Sequence, residues 1–195
     1  MPAARATYPS KNMQNRDQQL RSELLVIQCQ QGDGAAFGEL VGIWQKRLWG
    51  YAYKMTASES AAWDVVQETW CSVIKGLGKL KDASLFPCWV FRIANRKCVD
   101  WSRQQRRQSH AMNHGLEANL KTEAGQKENE HADILHRAVA RLEPERKALI
   151  MLRYAEGFDI RQIAGILKIP PGTVKSRLHR TLNELRQAVG QDSNE

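Results

Sequence analysis

The chain has 195 residues, enough for one medium domain or two small ones, and a formal net charge of +8, which points to a polyanionic partner. No apolar run approaches the roughly 18 residues a membrane helix needs, and the first twenty residues hold no hydrophobic signal core. With no Gly-rich phosphate loop, nucleophile elbow or metal-ligand cluster, the expectation is a cytoplasmic, non-enzymatic protein without cofactor or metal.

Residues 1–20 are polar, hold two prolines and show no periodicity, so they read as a disordered tail. From Ser22 the pattern SELLVIQCQQG reads as a short helix closed by Gly32. Asp33 can cap the next helix, in which Phe37, Leu40, Trp44, Leu48, Tyr51 and Met55 recur every three or four residues as a buried stripe. Ser58 opens a third helix with Ala62, Val66, Thr69 or Trp70, Val73 and Leu77 inward. Its outer side carries Asp64, Gln67, Glu68, Cys71 and Lys75. Acidic and amide groups on one rigid helix can meet a basic partner surface, and a solvated face is the bland alternative.

A loop with two glycines leads to Pro87, a good first helical residue. In the helix that follows, Val90, Ile93, Ala94 and Trp101 can face inward, while Arg92, Arg96, Arg103 and Arg107 recur opposite. Cations interleaved with aromatics suit an unstacked nucleic-acid strand. All six tryptophans lie in this first half, most of them expected in the core. The cysteines (Cys29, Cys71, Cys88, Cys98) make no C-x-x-C pair and are expected as thiols. His110 and His114, with Cys98 upstream, lack the second half of a zinc site.

Residues 108–130 lose periodicity and aromatics and read as a flexible linker. Regularity returns with Ile134, Leu135, Ala138, Val139 and Leu142. Pro144 starts another helix through Leu149, Leu152 and Tyr154, closing near Gly157. No stretch alternates as a strand would. The fold class expected is all-α: a helical domain over 21–107 and a smaller one over 131–190, joined by the linker.

The last two helices are the most informative. Ile160, Ile163, Ala164 and Leu167 form one apolar face. The joint Lys168-Ile169-Pro170-Pro171 stops that helix and lets Pro171 begin the next. There Val174, Leu178, Leu182, Leu185 and Val189 make a narrow stripe, leaving Ser176, His179, Arg180, Asn183 and Gln187 opposite, with Lys175 and Arg177 on the flanks. That is a helix-turn-helix whose second helix suits the major groove.

Pro170-Pro171-Gly172-Thr173-Val174-Lys175-Ser176-Arg177-Leu178-His179-Arg180 resembles the promoter-reading helix of bacterial sigma factors of the extracytoplasmic-function (ECF) type. The first half resembles region two of the same family. Gly32-Asp33-x-x-Ala36-Phe37 is similar to its opening, and Asp64-Val65-Val66-Gln67-Glu68-Thr69-Trp70 to its polymerase-docking segment. Trp89 to Asp100, WVFRIANRKCVD, is similar to its DNA-melting helix, and 132–189 resembles region four. The two lobes span about three quarters of the chain.

This resemblance implies a sigma factor that binds core RNA polymerase and directs promoter recognition and DNA opening. By it, Asp64, Gln67 and Glu68 dock on the polymerase clamp. Arg92, Asn95, Arg96 and Arg103, with the loop Lys79 to Ser84, engage the −10 element. Lys175, Ser176, His179 and Arg180 read the −35 element, while Arg177 and the backbone at Gly172-Thr173 hold phosphate. It also implies an anti-sigma partner. Three positions depart from the family: Trp63 stands where an acid usually precedes the docking Asp, Arg96 replaces an Asn that here is Asn95, and Lys168 replaces the turn glycine. The alternatives are a free-standing helix-turn-helix regulator, which leaves the acidic face at 64–68 unexplained, and a sigma mimic, which would not need the basic recognition face.

Overall fold

The computed structural model of the chain describes residues 11–112 and 130–192, all of whose regular structure is helical. Helix α1 (Lys11–Gln30) begins inside the segment read as a tail, of which 1–10 lie outside the described residues. No proline or glycine interrupts it, and tertiary contacts hold what periodicity alone did not reveal. Trp44 Nε1 donates to Ser22 Oγ (2.9 Å), Arg21 pairs with Glu39 (2.8 Å), and Leu25 and Val26 are buried. Gly32, at φ +96°, makes the turn that follows.

Asp33 caps α2 (Gly34–Thr56), accepting from the amides of Ala35 (2.8 Å) and Ala36 (3.2 Å). The stripe Leu40, Trp44, Leu48, Tyr51 and Met55 is buried, with Phe37 packed at its edge. Ser58 caps α3 (Glu59–Gly76), whose inner side, Ala62, Val66, Thr69, Trp70 and Val73, closes on α2. Two short 3-10 turns, Leu77–Lys79 and Ala83–Leu85, lead into α4 (Phe86–Met112). Helix α4 runs five residues beyond the expected end of the first domain. The rest of the expected linker, 113–129, lies outside the described residues.

The second lobe comprises α5 (Glu130–Ala140), α6 (Pro144–Ile150), α7 (Ile160–Leu167) and α8 (Pro171–Asp192). The sequence suggests that α6 continues through Tyr154. The backbone instead widens at Met151–Ala155 into a single π turn, closed by the Glu156 amide donating to the Met151 carbonyl (3.0 Å). Leu152 is buried and Tyr154 is exposed. Asp159 and Gln162 form a reciprocal capping box at the start of α7. Lys168 ends that helix in the left-handed region, φ 55° and ψ 44°, as its place at the expected turn glycine requires.

One apolar core runs through both lobes, because α4 is buried on two sides. Val90, Ala94 and Cys98 belong to it, and so does Phe91, whose ring meets Tyr51 (5.3 Å) in the first lobe and Phe158 (5.1 Å) in the second. Beside this contact the Arg47 guanidinium lies over the rings of Trp44, Phe91 and Phe158 at 5.2–5.6 Å. It donates to Glu156 Oε2 and to the Glu156 carbonyl, both at 2.7 Å. Nearby Lys147 Nζ is buried and donates to the Met55 carbonyl (3.2 Å); burial lowers the basicity of this ammonium.

Two outcomes test this packing. Arg47→Ala leaves Glu156, its side chain 6 % exposed, without a cation, and loss of one member of such a pair costs about 3–5 kcal/mol of the packed arrangement. The lobes are expected to part, raising the radius of gyration in X-ray scattering while far-UV circular dichroism is unchanged; an unaltered radius would count against the pair as the fastener. Lys168→Gly removes the left-handed strain and is expected to raise stability by up to about 1 kcal/mol in denaturant titration.

Candidate polymerase and nucleic-acid interfaces

The helix-turn-helix is built by burying one edge of α8. Val174, Leu178 and Leu185 are in the core, and Thr181 is buried with its hydroxyl accepting from Arg146 Nε (3.2 Å). Arg146 also donates to Glu184 (2.5 Å), so α6 holds α8 at its middle. The opposite edge is open: Lys175, Ser176, Arg177, His179 and Arg180 are all exposed. A Cβ added at Gly172 would meet nothing, so the backbone at the start of α8 is approachable. First-turn amides without helical partners and the positive end of the helix dipole favour an anion there.

The four residues expected at the −10 element are placed differently. Arg92 Nε donates to the Gly165 carbonyl in α7 (3.0 Å), and Arg103 donates to Glu145 (2.6 Å). Asn95 is only 8 % exposed, its side-chain oxygen accepting from Tyr51 Oη (2.8 Å), so it is held in the core where that core meets the floor of the interlobe cleft. Arg96 is exposed, 3.7 Å from Asp100. Arg106 pairs with Glu143, a second ion pair from α4 to the second lobe. Partial burial pushes the Glu145 carboxyl up, but its backbone hydrogen bond and the Arg103 and Arg106 guanidinia outweigh this and hold it below the usual range. Arg92, Arg96 and Arg103, with Lys97 and Arg177, line a cleft of about 1000 Å³ between α3–α4 and the α7–α8 turn. In the expected −10 loop Lys79, Lys81 and Asp82 are exposed, and Asp82 accepts from the amide and hydroxyl of Ser84.

Asp64, Gln67 and Glu68 are exposed together on the outer face of α3. Glu68 accepts from Lys97 Nζ (2.8 Å), which ties this face to α4. Asp64 and Glu68 border the interlobe cleft; Trp63, 46 % exposed, turns toward α2 instead. Cys98 is buried and its thiol is pushed up to about 12, chiefly by that burial, so it stays protonated at neutral pH. His110 and His114, the other members of the zinc arrangement considered above, lie outside the described side chains. Among the described residues no His, Cys, Asp and Glu group could hold a metal ion, and no helix is long and apolar enough to cross a membrane.

Sequence reasoning missed Phe91, Arg47 and Lys147. Phe91 lies off the single stripe drawn through α4, and only a helix buried on two sides would use it. Nothing in the spacing of Arg47 and Lys147 marks a partner from the other lobe.

Comparison with known proteins agrees with this division. Residues 40–108 match the Sigma-70 region 2 family and residues 132–185 match Sigma-70, region 4. The sigma factor CarQ of Myxococcus xanthus is 28 % identical over 165 residues, covering 82 % of this chain and 93 % of CarQ. The ECF sigma-E factor of Haemophilus influenzae is 29 % identical over 185 residues, covering 88 % and 97 %. The sigma factor RpoE of Bartonella quintana, solved with the anti-sigma factor NepR, shares the fold at a TM-score of 0.66 and 21 % identity, over 79 % of this chain and 96 % of that one. With both regions present in the same order, and relatives matched along nearly their whole length, the chain belongs to the ECF family of RNA polymerase sigma factors.

Proposed function

We propose the following division of labour for a sigma factor that binds core RNA polymerase and directs it to promoters. The outer face of α3, with Asp64, Gln67 and Glu68, docks on the polymerase clamp. The basic side of α4, with Arg92, Arg96 and Arg103 and the loop Lys79 to Ser84, takes the −10 element. Asn95 acts from the core, holding Tyr51 and thereby the register of α4 on α2. Lys175, Ser176, His179 and Arg180 read the −35 element in the major groove, and Arg177 with the Gly172-Thr173 backbone holds phosphate. The chain does no bond chemistry itself and works in the cytoplasm, where an anti-sigma factor of the kind bound by its structural relative is the expected antagonist.

The observation that carries this reading is the exposed cationic edge of α8, fixed from behind by Arg146 and Thr181. A helix so held can insert its free edge into a groove without losing its core. Opening the duplex costs about 1.4 kcal/mol per base-pair step in stacking, while capturing an unstacked base returns about 1–3 kcal/mol, so a small helical lobe can hold separated strands without ATP.

Promoter engagement requires the lobes to part, since Arg92 and Arg103 are bound to α7 and α6. Exposed ion pairs such as Arg103–Glu145 contribute about 0–1 kcal/mol each, and a line of DNA phosphates can displace Glu145 from them. The free-standing regulator reading, in which the first lobe would dimerise or sense, leaves the acidic face at 64–68 and the basic helix at 87–107 without a task.

Lys175→Ala is expected to reduce discrimination for the cognate −35 sequence by about 1–3 kcal/mol in competition binding. Uniform weakening on all sequences would instead make Lys175 a phosphate contact. Asp64→Arg combined with Glu68→Arg is expected to abolish co-purification with core polymerase at unchanged helical content; retained binding would remove α3 from the docking surface.

A further inference from the structure

The cleft between the lobes holds positive charge that the closed packing leaves uncompensated. Its α4 wall carries Arg92, Arg96, Lys97 and Arg103, and its α7–α8 wall carries Lys168 and Arg177. Lys97 is neutralised by Glu68 and Arg103 by Glu145. Arg92 donates to the uncharged Gly165 carbonyl, and Arg96, its side chain 85 % exposed, stands 3.7 Å from Asp100, beyond hydrogen-bond reach. Lys168 and Arg177 are exposed and form no ion pair among the described residues. Asp64 and Asp100 are the acids left in the lining to balance Arg92, Arg96, Lys168 and Arg177. Like charges on two walls of one cleft repel, and the repulsion opposes closure.

Lys168 adds to this excess at a conformational cost. It turns the α7–α8 corner at φ 55°, where glycine would make the same turn without strain. The lining also sets the kind of anion that would relieve the repulsion. Guanidinium groups take phosphate oxygens two at a time through their planar donors. The cations stand on both walls of a space of about 1000 Å³, so a single small anion satisfies one wall, whereas a chain of linked phosphates reaches both. Half-buried Trp101 belongs to the same lining and supplies an indole beside the charges.

We propose that this cleft binds a short linear polyphosphate, free or as the phosphate chain of a nucleotide, which bridges Arg96 on α4 to Lys168 and Arg177 at the α7–α8 corner. The site exists only while the lobes are together, so the ligand favours the closed arrangement in proportion to its concentration over its Kd. The inference rests on the closed packing around Arg47 and on no assignment of an arginine to a promoter element. On the division of labour proposed above, the ligand also withholds Arg96 and Arg177 from DNA and so opposes promoter engagement.

The test is calorimetric titration of the full-length chain with tripolyphosphate, orthophosphate and adenosine triphosphate, without metal ions and at one fixed ionic strength. Tripolyphosphate is expected to bind once per chain and at least about tenfold tighter than orthophosphate. Arg96→Gln, Arg177→Gln and Lys168→Gly are each expected to weaken it about tenfold, the loss of one charge-assisted contact. Lys54→Gln, which removes an exposed charge of α2 outside the cleft, is expected to change nothing. Arg47→Ala keeps every cation of the cleft and is expected, once open, to lose the preference for tripolyphosphate over orthophosphate. Adenosine triphosphate binding tighter than tripolyphosphate identifies a nucleotide as the ligand; otherwise the phosphate chain alone is the ligand. Equal losses from Lys54→Gln and the cleft variants would mark a non-specific effect of net charge and overturn the site. Native-strength binding by Lys168→Gly and Arg177→Gln, or by a chain that X-ray scattering shows open, overturns it as well.

Discussion

The closed arrangement of this protein turns on one guanidinium. Arg47 projects from the first lobe into a slot walled by Trp44, Phe91 and Phe158, and closes it by binding both the carboxylate and the carbonyl of Glu156. The rings exclude water and raise the strength of the pair, while the pair brings a nearly buried carboxylate to neutrality. Around this point the shared apolar core and the buried Lys147–Met55 hydrogen bond also join the lobes, and at the edge lie Arg92 on a helix-end carbonyl and Arg103 and Arg106 on surface glutamates. The packing of the two lobes thus has a desolvated centre continuous with the core and a rim of pairs that ions can compete for.

This construction bears on the division of function. The α8 edge proposed for the −35 element is exposed in the closed arrangement, whereas two of the three arginines proposed for the −10 element are engaged with the second lobe. On the proposed assignment, duplex reading and strand capture stand at different thresholds: the first needs no rearrangement, and the second requires α4 to give up the Gly165 carbonyl and the Glu145 carboxylate. For Arg103 the exchange preserves charge pairing, since it moves from one anion to another, while Arg92 leaves the neutral Gly165 carbonyl.

Much of the architecture was legible because its signals are local. Asp33, Ser58 and Asp159 announce helix starts by side-chain chemistry that involves only neighbouring amides. The stripes of α2, α3 and α8 follow helical spacing without interruption. Lys168 stood out as the residue that would have to adopt positive φ, and it does. What could not be read was set by contacts distant in sequence. The stretch of α1 from Gln18 to Ser22 lacks periodicity and is held by α2. Asn95 looks like a polar surface residue until Tyr51 is placed opposite it, 44 positions away. Phe91 and Arg47 acquire meaning only once the second lobe is known to lie against α4.

The π turn at Met151–Ala155 inserts one residue beyond helical count just before Glu156 and Phe158. Each residue added to a helix advances everything after it by about 100°, so this turn sets the rotational phase of both groups that meet Arg47. Shortening the segment by one residue would swing Glu156 and Phe158 out of line with Arg47 and turn the start of α7 with them. The alignment of these two groups with the first lobe is thus stored in a single backbone irregularity.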